Sequence, residues 1–159
     1  AVLSAPRIYI FAKGESYLAG CIFRNNLLKL DRHVTMADDG GLQTLHVKNG
    51  RPGDLFLFLS YSGIHYDYSK YAAALSERGI KPCLITAFSD SALARQCDTV
   101  LLIPKSERVI GKVANYSSMI SLTYTLQVIY SLIFNQDYQE NYRVKHEADS
   151  FIFTSFAEI

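Results

Sequence analysis

The sequence predicts an α/β domain: a five-stranded parallel sheet between helices, in a three-layer αβα sandwich of the doubly wound kind. Two observations predict it. Short apolar runs alternate with segments of helical periodicity along most of the chain, which is how a parallel sheet with right-handed crossovers reads. The run Leu55 to Leu59 (LFLFL) is five consecutive large apolar residues with no alternation, as in a strand covered on both faces.

The elements follow in order. Arg7 to Ala12 (RIYIFA) is a first strand, Lys13-Gly14-Glu15-Ser16 a tight turn, and Tyr17 to Leu30 a helix with Leu18, Cys21, Ile22, Leu27, Leu28 and Leu30 at helical spacing. His33 to Met36 is a weaker second strand, and Gly40 to Val47 a short helix that ends before the turn signal Asn49-Gly50-Arg51-Pro52-Gly53. Leu55 to Leu59 is the central strand. A helix from Asp67 to Arg78 is stopped by Gly79; Pro82 to Thr86 and Val100 to Ile103 are the fourth and fifth strands. Asn115 to Phe134 reads as a long helix, apolar nearly all round, and therefore either deeply buried or half of a subunit interface. The tail from Asp137, with Phe151, Ile152, Phe153 and Phe156, fits neither pattern. Ala1-Val2-Leu3-Ser4-Ala5 reads as the end of a helix running into a strand, so residues 1–159 are expected to be a single domain cut from a longer chain.

Composition narrows the classes of function. The 159 residues include 16 basic and 15 acidic side chains, and no run of Lys or Arg tracks one face, so an electrostatic footprint for nucleic acid is not expected; DNA contact, if any, falls to another segment. Cys21, Cys83 and Cys97 are odd in number and lack Cys-x-x-Cys spacing, which indicates reduced thiols and a cytoplasmic location. Met119 to Phe134 is interrupted by Ser121, Thr123, Thr125, Gln127 and Ser131, so it is expected to be too short and polar for a membrane span. No His, Cys or carboxylate cluster has metal-ligand spacing, and no cofactor is expected. Lys13-Gly14-Glu15-Ser16 lacks the three-glycine dinucleotide fingerprint.

Ligands of open parallel sheets bind beyond the carboxyl ends of the strands. There the sequence is rich in hydroxyls: Gly14 and Ser16 after the first strand, Ser60, Ser62, Gly63 and His65 after the third, Thr86, Ser89 and Ser91 after the fourth. Hydroxyls, glycine-opened amides and helix N-termini form a neutral anion site suited to a phosphate. The blander reading is that Ser16 and Ser62 cap helices. The two serine loops meet only if their strands are neighbours.

These loops resemble the SIS (sugar isomerase) family. Pro52-Gly53-Asp54, the strand Leu55–Leu59 and Ser60-Tyr61-Ser62-Gly63 are similar to its "pGD", strand and S-x-S-G-x-T phosphate loop, and Ala12-Lys13-Gly14-Glu15-Ser16 stands where its G-x-G-x-S loop would be. Leu84-Ile85-Thr86, Ser91-Ala92-Leu93-Ala94 and Asp98-Thr99-Val100-Leu101 continue the likeness, which runs from about residue 5 to 134. The nearest flavour is the effector domain of RpiR-type transcription regulators, in which a helix-turn-helix precedes the SIS domain; Glu107 and Ser117-Ser118 resemble their "E … sS" stretch. The resemblance implies a SIS-like, flavodoxin-like sandwich. It also implies a phosphorylated sugar or amino sugar as ligand, a homodimer or larger assembly, and DNA contact only through a preceding domain. Gly14, Ser16, Ser60, Ser62, Gly63 and the residue at 65 would hold the phosphate, with Tyr61, Glu107 and Ser117 toward the sugar.

Four positions depart from the family: Ala12 for glycine, Lys13 for an apolar residue, Glu15 for a small one and His65 for threonine. Lys13 and Glu15 either tune the anion site or form a solvated couple. His65 is either a phosphate donor or a surface histidine. An isomerase needs two acid-base groups; Glu107 is the one carboxylate placed near the pocket, with His65 or a histidine of a partner subunit as the candidate second group, and sensing is preferred over isomerisation. A degenerate dimerisation module is the third reading.

Overall fold

In the computed structural model, which describes Val2 and residues 4–156, the backbone forms β1 (Ile8–Ala12), α1 (Glu15–Leu28), β2 (Val34–Ala37), α2 (Gly40–Asn49), β3 (Leu55–Leu59), α3 (Tyr66–Ser76), β4 (Cys83–Thr86), β5 (Thr99–Leu102), α4 (Tyr116–Gln136) and α5 (Tyr138–Phe156). The reading of the first five residues as a helix end rests on Ala1 and Leu3, which lie outside the described residues, as do the side chains of Ile152 and Phe156.

The five strands form one parallel sheet in the order β2-β1-β3-β4-β5. Alternate residues of β1 and β3 serve opposite faces, so continuous apolar sequence fills two cores. Ile8, Ile10, Leu55, Leu57 and Leu59 pack under α1 and α4 with Phe23, Leu27, Leu122 and Leu126. Tyr9, Phe11, Phe56 and Phe58 pack against α2 and α3 with Val47, Tyr68, Ala72 and Leu75. Every residue of β1 and β3 is buried, which is why neither strand alternates in sequence. β5 is one of the two edge strands and is mostly exposed.

Three expectations change. α4 is 21 residues long, and by length and composition alone it is apolar enough to cross a membrane, with a mean hydropathy of 1.3 in its most apolar stretch. In the fold it lies along α1 and sends Leu122, Leu126 and Ile133 into the core, while Tyr116, Ile120, Tyr124, Val128 and Leu132, four residues apart, form an exposed stripe. Its apolar girth thus has two faces, one buried and one bare. α1 begins at Glu15 rather than Tyr17, because Gly14, at φ +57°, turns the chain sharply out of β1. The tail from Tyr138 is the helix α5, anchored where Asn141 Nδ2 donates to the Ile133 and Phe134 carbonyls and laced by Arg143–Glu140 and Arg143–Glu147 pairs.

Candidate functional site

β1 is hydrogen-bonded to both β2 and β3, so the chain reverses its direction of travel across the sheet between β1 and β3. Such a switch point leaves a crevice at the carboxyl ends of the strands. Ala12 pairs in register with Leu59, which sets Lys13-Gly14 beside Ser60-Tyr61 and satisfies the condition for the two serine loops to meet.

The third-strand loop is held rigidly. Ser60 N–H donates to the Ile85 carbonyl at 3.1 Å, and Ser60 Oγ accepts from Gly63 N–H at 3.1 Å, closing the turn on itself. Thr86 Oγ1 donates to the Tyr61 carbonyl at 3.0 Å, and Leu93 N–H donates to the Gly63 carbonyl at 3.2 Å. Ser91, buried, accepts from Ala94 N–H through Oγ and stands against Gly63. The Thr86 and Ser91 hydroxyls therefore brace the loop from behind, and neither lines the cavity.

That cavity, about 150 Å³, is lined by Lys13, Glu15, Ser16, Ser60, Tyr61, Ser62 and His65, and on its other side by Val109, Lys112, Asn115, Ser118, Met119 and Leu122. Four of the six expected phosphate ligands, Ser16, Ser60, Ser62 and His65, are thus brought together. Gly14 and Gly63 shape the turns without lining it. The capping reading fails on geometry, because neither α1 nor α3 has a side-chain N-cap bond. Among the described residues, the Ser16 and Ser62 hydroxyls have no hydrogen-bond partner, and both residues line the cavity. His65 is half-buried; desolvation and the Lys13 cation lower its pKa below the ordinary 6.5, so it is neutral at pH 7.

Glu107 sits differently from expectation. Its Oε1 accepts from Ser117 Oγ and Ser118 N–H, both at 2.9 Å, and its Oε2 accepts from Ser118 Oγ at 2.7 Å. It caps the first turn of α4 from a distance and does not line the cavity; Ser117 does not line it either. Desolvation opposes its charge, but the donors from Ser118 and Ser117 outweigh that and hold the carboxyl at about 2. Tyr61 shows its ring to the cavity, while its hydroxyl donates to the Glu107 carbonyl at 2.9 Å and accepts from Glu107 N–H at 2.8 Å.

A family model of the SIS domain matches residues 2–133. The chain belongs to the SIS domain family. In fold, the SIS domain is similar to the sugar isomerase domain of an RpiR transcription factor from Sphaerobacter thermophilus, with a TM-score of 0.79 and 23% identity over 94% of this chain and 81% of that one. It is also similar to the Vibrio vulnificus NanR protein complexed with ManNAc-6P, with a TM-score of 0.85 and 20% identity over 98% of this chain and 58% of that one. In sequence it is 35% identical over 104 residues, 64% of the chain, to glutamine–fructose-6-phosphate aminotransferase [isomerizing] of Halalkalibacterium halodurans, of whose length this stretch spans 17%.

Sequence reasoning missed the second wall of the SIS cavity. Val109, Lys112 and Asn115 come from the strap between β5 and α4, which has no periodicity and in which the resemblance singled out Glu107 and none of these three. The one available signal was position: the strap follows a strand end, where ligand contacts gather. Lys112 Nζ lies 3.6 Å from Glu107 Oε2 and 5.3 Å from the centroid of the Tyr61 ring, and so ties the strap to the serine loop.

Proposed function

We propose that this SIS domain is the effector-binding, phosphosugar-sensing domain of a cytoplasmic RpiR-type transcriptional regulator. One observation carries the reading: two serine hydroxyls without protein partners, Ser16 and Ser62, converge with Ser60 on a cavity at the switch point. Hydroxyls without a compensating cation cluster bind a phosphate reversibly, as a sensor requires. The ManNAc-6P complex of the structurally similar NanR supports a phosphosugar as the ligand class. Glu107, with both carboxylate oxygens engaged and its pKa held at about 2, is a poor general base, which supports sensing over isomerisation.

In this reading the domain is a homodimer joined through the exposed stripe Tyr116, Ile120, Tyr124, Val128 and Leu132. DNA is contacted only by a separate helix-turn-helix segment. A thermal-shift screen of hexose and amino-sugar phosphates against their unphosphorylated parents tests the ligand, because a compound that prefers the native state raises Tm. Stabilisation by phosphorylated compounds alone, abolished by Ser62→Ala, is expected. An unaltered response in Ser62→Ala, or none in the wild type, overturns the reading.

A further inference from the structure

Among the thirteen residues that line the cavity, Glu15 is the one carboxylate. It occupies the first position of α1, directly before Ser16, where a second negative charge opposes any phosphate. The charges around the cavity are sorted by side. Toward α3, Lys13 Nζ lies 5.3 Å from the ring centroid of Tyr68, and the His65 ring lies 5.3 Å from the same ring. Lys13, His65, Ser60 and Ser62 thus make the cationic, hydroxyl-lined end, with Asp67 acting on His65 from outside the lining.

Toward α4, Glu15 is ionised: the Asn115 side chain, its own backbone N–H and the nearby Lys112 cation hold its pKa below the ordinary value against desolvation. The cation on that side is Lys112, and Lys112 is already opposed by Glu107 at 3.6 Å. Counting the groups just outside the lining at both ends, Glu15, Glu107 and Lys112 leave this end with one net negative charge, while Lys13 and Asp67 offset each other at the other, so the α4 side is the more negative. A ligand of matching polarity carries an anion at one end and a cation at the other.

Resting on the phosphosugar reading above, we propose that Glu15 reads an ammonium on the ligand, so that the site takes a zwitterionic amino-sugar phosphate with a free amine. The phosphate lies at Ser60, Ser62 and Ser16, and the ammonium donates to the Glu15 carboxylate. A hydroxyl or an acetamide N–H at the same place also donates to the carboxylate, but it carries no charge and so lacks the ionic attraction that an ammonium adds.

The test is calorimetric titration of the chain and of Glu15→Gln at neutral pH and low ionic strength. The ligands are the 6-phosphates of hexosamine, N-acetylhexosamine and hexose, each in gluco and manno configuration. In the wild type the free amine is expected to bind about three- to tenfold tighter than its acetylated and hydroxyl counterparts, a preference that shrinks as salt is added. In Glu15→Gln that preference falls to within about twofold, while the other two compounds bind as well as before or tighter, the carboxylate's repulsion of their phosphate being gone. Equal affinities in the wild type, or a preference that survives in Glu15→Gln, overturn the assignment of Glu15 and leave the phosphosugar reading standing. Loss of all three compounds in Glu15→Gln also overturns it, because Glu15 then supports the cavity and does not select its ligand. Binding of none of the compounds to the wild type overturns both.

Discussion

Gly63→Ala should damage the serine loop out of proportion to one methyl group. Gly63 has φ +64°, and a Cβ built on it falls 2.1 Å from Ser91 Oγ and 2.6 Å from Ser91 Cβ. The left-handed conformation costs an L-residue about 1–2 kcal/mol. The overlap adds about 1–3 kcal/mol, since Ser91 is buried and fixed by its bond from Ala94 N–H. A loss of about 2–5 kcal/mol in urea denaturation is therefore expected, with an unchanged m-value. In Gly63→Ala/Ser91→Gly both overlapping atoms are gone, so the double variant should recover about 1–3 kcal/mol relative to the sum of the single variants. A single-variant loss below about 1 kcal/mol, or strict additivity in the cycle, would refute the close-approach argument.

Three further predictions concern charge. Glu107 has a folded pKa of about 2 against an ordinary 4.5, so its contribution is full above pH 4.5 and disappears as pH falls toward 2; urea midpoints of the wild type and Glu107→Gln should converge across that window. Asp54 is almost wholly buried and accepts from Arg7 Nε at 3.0 Å, Arg7 Nη2 at 2.6 Å and Arg51 N–H at 2.8 Å. Arg7→Ala should therefore lower the urea midpoint more than Arg143→Ala, which breaks pairs that are exposed on both sides. If the His65 imidazole donates to bound phosphate, the wild-type to His65→Ala affinity ratio exceeds one at neutral pH and rises further as pH falls below 6.5, because desolvation and Lys13 lower the pKa; a ratio of one throughout removes His65 from the phosphate site.

The sheet was legible because burial on both faces leaves a plain mark: LFLFL and the RIYIFA run admit one placement each. The serine loops were legible because position at a strand end restricts what hydroxyls are for. What periodicity could not convey was which hydroxyls face the ligand. Thr86 and Ser91 read like Ser60 and Ser62 in sequence, and only the sheet order, with β4 beyond β3, turns the first pair into braces and the second toward the cavity. Glu107 was placed near the pocket by resemblance, but its orientation depends on where α4 begins, a boundary set by packing on α1. α5 escaped notice because it packs mainly on α4, leaving Tyr138, Tyr142, Phe151 and Phe153 exposed and the apolar pattern incomplete.

The pair of hydrogen bonds between the Tyr61 hydroxyl and the Glu107 backbone turns the serine loop into the short arm of a lever. Tyr61 stands between two serines aimed at the cavity, Glu107 grips the first turn of α4, and the joint between them is two hydrogen bonds on one oxygen. The long arm is α4 itself, 21 residues or about 31 Å. Displacing the aromatic ring enough to tilt that rod by about 3° carries its far end about 1.6 Å, by the rise of 1.5 Å per residue. Among the residues of the exposed stripe, Leu132 sweeps the widest arc.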